Sequence, residues 1–399
     1  MIYLDHNATT PTAEPVIEAC AAAMRMLSGN PSSVHLEGQR ARHAIELARK
    51  QVADLVGSNA RQWVFCSGAT EANRLALGSW SQALEKPHFI SSPAEHASVA
   101  NWLLELGEFD ASRVHWLPVD AQGRIAAESV AQALEACKAK SHPTVLVTML
   151  VQSELGNRYP VAEFSRLARR HRAYVHCDLT QAVGRVEVEV DALGADTASF
   201  SGHKFGGPKG VGALFVRKGS PIDAKFALKS QERGLRLGTE NVPGIVGLGR
   251  ACVLARGERL ADWRRVAGLR DRLLAGLLAG VPGAELVGDP HSNIGNTCSV
   301  RFPGTEAQDL LMALDLAGIA VGAGSACASG SLGVSPILAA MGLSPAEARS
   351  VVRFSTGWGN DEAQIDQALR AISDEVGYVR QISRGAAPSG RTSRVREEL

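Results

Sequence analysis

Apolar and polar positions follow two different periods through the middle of the chain. Pro143–Val151 (PTVLVTMLV) and Ala173–Cys177 are continuous apolar runs of strand length, and Val161–His171 between them is amphipathic with the period of a helix. Such β-α-β alternation predicts a mostly parallel sheet with helices on both faces. Val211–Val216 predicts one more strand, entered from a glycine-rich turn. Further on, Val253–Leu278 predicts a long helical stretch. It leads into a second α+β region with strands at Asn296–Phe302 and Ala317–Val321. From Arg384 the Pro/Gly/Ser/Arg composition (RGAAPSGRTSRVREEL) predicts a flexible tail.

The 399 residues suit two domains, or one large and one small. A hydrophobic fraction of 45% with 21% charged residues is that of an ordinary soluble globular protein. The formal net charge of +1 supplies no field to attract nucleic acid or an anionic membrane, and neither is expected as a partner. No apolar run reaches the ~18 residues of a membrane span. The start, Met1–Asn7, has neither a basic nor an apolar segment of the kind a secretory signal needs. Seven cysteines, odd in number and scattered without a C-x-x-C pair, predict free thiols in a reducing cytoplasm.

Against that plain background, Ser201-Gly202-His203-Lys204-Phe205-Gly206-Gly207-Pro208-Lys209-Gly210 stands out. A lysine confined among small residues, beside a hydroxyl and an imidazole, suits Schiff-base chemistry, because burial and neighbouring cations free its amine. A solvated lysine in a glycine-rich turn is the competing reading. Three further features bear on it. Ser67-Gly68-Ala69-Thr70-Glu71-Ala72-Asn73 is a small-residue turn entering a helix, which makes either a phosphate site or an ordinary capped N-terminus. Asp178 ends an apolar strand with Gln181 three residues on, so it either faces the ligand crevice or caps a helix. His96, in Ala94-Glu95-His96-Ala97-Ser98, could stack on a flat ring and move protons, or be structural. Phosphate turn, histidine, strand-end carboxylate and lysine, in that order, describe a pyridoxal-phosphate site on a large α/β domain.

Downstream, Gly322-Ala323-Gly324-Ser325-Ala326-Cys327-Ala328-Ser329-Gly330-Ser331 surrounds a cysteine with residues too small to bury it. That setting favours a nucleophile on a loop over a packed thiol. Arg353-Phe354-Ser355 places an arginine on an apolar strand, suited to gripping a carboxylate or to a structural salt bridge.

Taken together these motifs resemble the cysteine desulfurases of the NifS/IscS type, pyridoxal-phosphate enzymes of the class-V aminotransferase family. The likeness includes Tyr3-Leu4-Asp5, Asn7-Ala8-Thr9-Thr10, Gly29-Asn30-Pro31-Ser32-Ser33, Gln231-Glu232-Arg233-Gly234-Leu235-Arg236 and Gly238-Thr239-Glu240-Asn241, and it extends to about residue 380. The resemblance implies an α/β fold of the PLP-dependent transferase type, aspartate aminotransferase-like, with a large, mostly parallel-sheet domain and a smaller α+β domain. The large domain is expected over residues 16–255. The small one is expected over 1–15 and 256–383, carrying the cysteine loop at about 320–335, with 384–399 as a tail.

Residue by residue, it implies that Lys204 carries the cofactor and Asp178 partners its ring nitrogen. His96 would stack on the ring and transfer protons. Ala69, Thr70, Ser201 and His203 would bind the phosphate, with Thr239 supplied by the other subunit of a homodimer. Gln181 and Ser153 would lie on the ring-hydroxyl side, and Arg353, assisted by Asn30, would hold the substrate carboxylate. Cys327 would take sulfur from L-cysteine as a persulfide, release alanine and pass the sulfur to a scaffold or carrier protein. No resident metal is implied, with Cys327 the residue that would meet a transient iron–sulfur cluster.

The chain departs from the family pattern at several places. Ser153 in Gln152-Ser153-Glu154-Leu155-Gly156 replaces the usual Asn, Ala227-Leu228-Lys229-Ser230 replaces a glycine run, Arg74 replaces a common Asn, and His6 precedes Asn7. Two alternatives follow: a selenocysteine lyase, which needs no nucleophilic cysteine, and a degenerate homologue serving as a sulfur-relay or scaffold protein.

Overall fold

The computed structural model describes residues 1–139, 141–222, 231–324 and 334–383. Its centre is a seven-stranded sheet in the order Trp63–Cys66, Gly212–Val216, Thr197–Ser201, Tyr174–Asp178, Thr144–Met149, His88–Ser91, Val114–Trp116. Only Gly212–Val216 runs antiparallel to its neighbours. The inner strands are buried along their whole length, which is why they read as continuous apolar runs rather than alternating ones. Val161–Arg170 is the predicted helix, with Phe164 and Ala168 buried on one face.

The long helix expected near Val253–Leu278 is in fact two. Val242–Leu254 passes into a π-helical turn at Ala255–Arg259, and a fresh helix runs over Trp263–Gly280. Gly257 lies inside the turn and weakens the helix there, but the apolar positions keep their period across it, so the interruption leaves no mark in the apolar pattern. Its cause is tertiary: Arg259 donates to the Phe205 carbonyl and stacks over Trp358 at 4.6 Å.

A second core lies beyond the turn. Glu285–Val287, Thr297–Arg301 and Val351–Ser355 form an antiparallel sheet, and the helices Trp263–Gly280, Ala307–Leu316 and Glu362–Ser383 cover it. Leu273, Leu277, Val300, Phe302, Leu310 and Ile372 close its interior. The N-terminal strand Ile2–Tyr3 pairs with Ile319–Ala320, so Ile2 and Leu4 belong to this core and not to the large sheet. That arrangement carries Asn7–Thr10 across to the large sheet, where Thr10 N donates to the His203 carbonyl at 2.9 Å. Among the described residues no helix is long and apolar enough to cross a membrane.

Candidate active site

A cavity of about 380 Å³ lies at the carboxyl ends of the parallel strands, the place where sheets of this kind bind ligands. Its wall brings together Ala69, Thr70, His96, Ser153, Asp178, Gln181, Ser201, His203, Lys204 and Arg353, together with Asn7, Ala8, Thr9 and Lys209.

Lys204 ends a short 3-10 turn that leaves the strand Thr197–Ser201. Its Nζ donates to the carbonyls of Asn7 at 2.6 Å and Ala8 at 2.8 Å. Its own carbonyl accepts from Thr10 Oγ1 and Arg185 Nη2, both at 2.9 Å. Both ends of the lysine are therefore fixed by the N-terminal segment. Arg185, only 1% exposed, organises that segment: it donates to the His6 carbonyl, Asn7 Oδ1 and Gln181 Oε1. All its acceptors here are neutral oxygens, so burial, with the nearby charge of Arg353, lowers its pKa to about 9. His203 is held neutral in the same way. Burial and then the charges of Lys204, Arg185 and Lys209 lower its pKa to about 4, and its Nδ1 lies 3.1 Å from Thr9 Oγ1.

The turn before the helix Ala69–Ala83 presents the backbone N–H groups of that helix to the cavity, with Gly68 at the cap and no side chain capping it. Glu71 accepts from Ser67 N and pairs with Arg236 at 3.0 Å, so its carboxylate braces the turn from outside the N-cap rather than closing a capping box. The turn sits close against the sheet because Gly212 has no side chain: a Cβ there would lie 2.5 Å from the Phe200 carbonyl oxygen and 2.7 Å from Gly68 Cα.

Asp178, 4% exposed, closes the other side. Its Oδ1 accepts from Thr180 N at 2.8 Å and its Oδ2 from Asn73 Nδ2 at 3.0 Å. No helix follows it, since residues 180–184 form turns. The same Asn73 nitrogen donates to Ser98 Oγ at 2.9 Å, and that hydroxyl lies 2.9 Å from His96 Nδ1. His96 Nδ1 also accepts from Ser98 N, which places the proton of the neutral ring on Nε2. On its other side Asn73 Oδ1 faces His176 Nε2 at 3.0 Å. Gln181 has Nε2 on the Asn7 carbonyl and Oε1 on Arg185. Glu95, buried beside His96, is driven well above the usual carboxyl range by burial and by Asp178, against a smaller opposing hydrogen bond from the Met149 backbone.

Arg353 lines the cavity from the small core. Its Nη2 pairs with Asp5 at 2.7 Å, the structural partner that the sequence reading set against a substrate role. Nη1 donates to the carbonyls of Ser153 and Gly324, while Nε has no partner among the described residues. Gly322 permits this approach, because a Cβ there would lie 2.7 Å from both Arg353 Nη2 and Asp5 Oδ1.

Asn30 is not brought to the cavity, and Thr239, expected to act from the other subunit, does not line it either. Asn30 is exposed, its Oδ1 accepting from Ser32 N, and Thr239 is exposed on the segment after Glu232–Gly234. Cys327, the tail 384–399 and Ala227–Ser230 lie outside the described residues. Asn7, Asn73, Ser98 and Arg185 were given no role by sequence reasoning. The nearest signal was the Gln181/Arg185 spacing of four residues in an otherwise apolar stretch.

The model of the family described as Aminotransferase class-V matches residues 2–368. The chain belongs to the class-V aminotransferase family. It is 37% identical to "Cysteine desulfurase IscS" of Methanosarcina thermophila, over 96% of this chain and 93% of that one. It is 39% identical to "Cysteine desulfurase" of Cereibacter sphaeroides, over 96% and 97%. Among solved structures, the NifS-like protein from Rickettsia africae superposes with a TM-score of 0.84 at 29% identity, over 94% of this chain and 99% of that one. A structure described as SspA in complex with cysteine superposes with a TM-score of 0.76 at 30% identity, over 90% and 99%.

The α/β transferase fold expected from the motifs is the fold found. Members of this class-V family depend on pyridoxal phosphate, and the donor set of the cavity suits that group. The cations Lys204, Lys209 and Arg353 and a helix N-terminus line the cavity together with the strand-end carboxylate of Asp178, a donor set that suits a phosphate and a ring nitrogen.

Proposed function

We propose that this class-V protein is a cysteine desulfurase, taking sulfur from L-cysteine onto Cys327 and releasing L-alanine. The observation that carries the reading is the gathering of Lys204, Asp178, His96 and Arg353 on one cavity, next to the start of the cysteine loop at Gly324. Relatives named cysteine desulfurase over nearly the whole chain support it.

Pyridoxal phosphate, when bound, supplies an electron sink for bonds at the substrate's α and β carbons. The residues divide the remaining work. Ala69, Thr70, Ser201 and His203 hold the phosphate, and Lys204 holds the cofactor covalently. Asp178, fixed by Thr180 N and Asn73, keeps a proton on the ring nitrogen. His96 would face the ring and move protons, its Nδ1 pinned by Ser98 so that Nε2 is the atom left to transfer them. Gln181 and Ser153 complete the ring-hydroxyl side, and Arg353 grips the substrate carboxylate. The Cys327 thiolate would bond to the substrate sulfur as the Cβ–S bond breaks, its electron pair staying with Cβ and taking up a proton on the way to alanine, which leaves a persulfide on the enzyme.

The protein works as a homodimer in the cytoplasm and delivers its sulfur to a scaffold or carrier protein, as in iron–sulfur cluster assembly. Support for the dimer comes from a groove outside the cavity, bordered by Pro31, Ser32 and Glu240. These are the immediate neighbours of Asn30 and Thr239, the two site residues that the chain does not bring to its own cavity.

The decisive assay incubates the holoenzyme with L-cysteine and a reductant. Alanine and sulfide are expected in equal amounts, and Cys327→Ser is expected to abolish both while cofactor absorbance stays intact. Undiminished alanine from Cys327→Ser would remove that residue from the reaction and favour a lyase.

A further inference from the structure

At the opposite, amino-terminal end of the sheet, three soft and borderline donors converge from distant parts of the chain. His88 opens the strand His88–Ser91, His115 lies in the edge strand Val114–Trp116, and Cys137 is in the last turn of the helix Ala127–Lys138. His88 Nδ1 and His115 Nε2 lie 2.9 Å apart, and with Cys137 Sγ the three ligand atoms all fall within 4.8 Å of one another. This is the only such group among the described residues. His88 is 4% exposed and Cys137 fully buried, while His115 is partly open to solvent. The imidazoles of His115 and His142 stack on His88 at 5.2 and 4.8 Å between centroids, which fixes the His88 ring plane.

We propose that His88, His115 and Cys137 form a site for a divalent transition metal of the zinc type. Two imidazoles and a thiolate are the donors that Zn²⁺ takes, at ~2.0–2.1 Å for nitrogen and ~2.3 Å for sulfur, with water in the fourth position. Tetrahedral bonds of those lengths require the two nitrogens to move apart by about half an ångström and the sulfur to close by up to about 1.2 Å. The partly exposed His115, on a three-residue edge strand, can supply most of that movement. Without metal the two histidines share one hydrogen bond. On binding, the proton between them moves to the outer nitrogen of its own ring, both rings stay neutral, and the Cys137 S–H proton leaves to solvent, one per metal ion. The metal would tie the sheet's edge strand to its neighbour and to the helix behind it. The site shares no residue with the cavity at the strands' other ends, so it stands or falls independently of the proposed reaction.

Titration of the holoenzyme with Co²⁺, in a Cys327→Ser background that removes the loop thiol, tests this. One Co²⁺ per chain is expected, with a thiolate-to-cobalt charge-transfer band in difference spectra that Zn²⁺ abolishes. Cys137→Ser should lose the band. His115→Ala should weaken binding by more than the ~10–100-fold that loss of an outer-shell partner costs. His115 lies at the surface, so its variant remains informative if Cys137→Ser folds poorly. Absence of a thiolate band in the parent, its survival in Cys137→Ser, or unchanged affinity in His115→Ala would leave only a hydrogen-bonded histidine pair and overturn the assignment.

Discussion

Asn73 lies 3.0 Å from Asp178 through the same amide nitrogen that reaches Ser98 at 2.9 Å. Through Ser98 this one side chain links the carboxylate proposed for the ring nitrogen to the histidine proposed for proton transfer. Both hydrogens of the amide are used, and its oxygen faces His176. Asn73→Ala should therefore weaken pyridoxal-phosphate affinity by at least about tenfold and cost about 1–3 kcal/mol of stability, the penalty for stranding buried polar partners. Asn73→Asp should be worse for the cofactor, since a second carboxylate beside Asp178 favours protonating one of the pair. Cofactor titration by absorbance and urea denaturation read the two effects separately. Normal cofactor affinity in both variants would show that Asp178 needs no such support.

Gly212 and Gly68 make the second test. A methyl group at position 212 would meet main-chain atoms on both sides, the Phe200 carbonyl at 2.5 Å and Gly68 Cα at 2.7 Å, neither of which can rotate away. Gly212→Ala should push the phosphate turn off the sheet, costing about 1–3 kcal/mol as an overpacked site does. The loss should be larger in phosphate affinity than in stability. Competition of inorganic phosphate with cofactor rebinding to the apoenzyme measures it.

How much of this was legible in the sequence depends on how local each partner is. Lys204, Asp178 and the turn at Ala69–Thr70 sit in short motifs whose chemistry is visible in neighbouring residues, and the strands around them are buried runs with no period to misread. Arg185 and Asn73 are different. Their partners Asn7 and Asp178 lie 178 and 105 positions away, so only the fold brings them together. The histidines at 88 and 115 and the thiol at 137 were invisible for the same reason, since no spacing rule joins two strands and a helix. The break between Val242–Leu254 and Trp263–Gly280 was missed because a tertiary contact of Arg259 interrupts a stretch whose apolar period continues across Gly257.

Buried histidines set the acid limb of stability. Burial, with the nearby Arg185 charge, lowers the pKa of His6 to about 4, and burial does the same to His176. Their unfolded-state value is near 6.5, so the unfolded chain binds more protons than the native one between those values. The histidine contribution to stability is therefore complete above about pH 6.5 and falls with acidification toward pH 4, by about 1.4 kcal/mol per pH unit for each such histidine in mid-window. His6→Phe, which keeps a ring against Tyr3, should make the slope shallower by about that amount. Urea midpoints measured at half-unit steps would show it, and an unchanged slope would mean that His6 titrates normally in the native protein.

Arg353 separates a structural arginine from a substrate clamp. Its Nη2 is committed to Asp5 at 2.7 Å, yet the side chain lines the cavity and its Nε has no partner among the described residues. A guanidinium already anchored on one edge loses little further freedom when the other edge takes a carboxylate, an advantage a lysine cannot reproduce. Arg353→Lys should thus raise KM for L-cysteine by about 10–100-fold, the equivalent of one or two lost charge-assisted hydrogen bonds, with cofactor affinity unchanged. Asp5→Asn keeps the guanidinium but removes its anchor. It should lower stability, because a nearly buried charge loses its counter-ion, and raise KM by less than Arg353→Lys does. Equal KM values in the wild type and Arg353→Lys, with stability reduced alike in both variants, would assign Arg353 to the salt bridge alone.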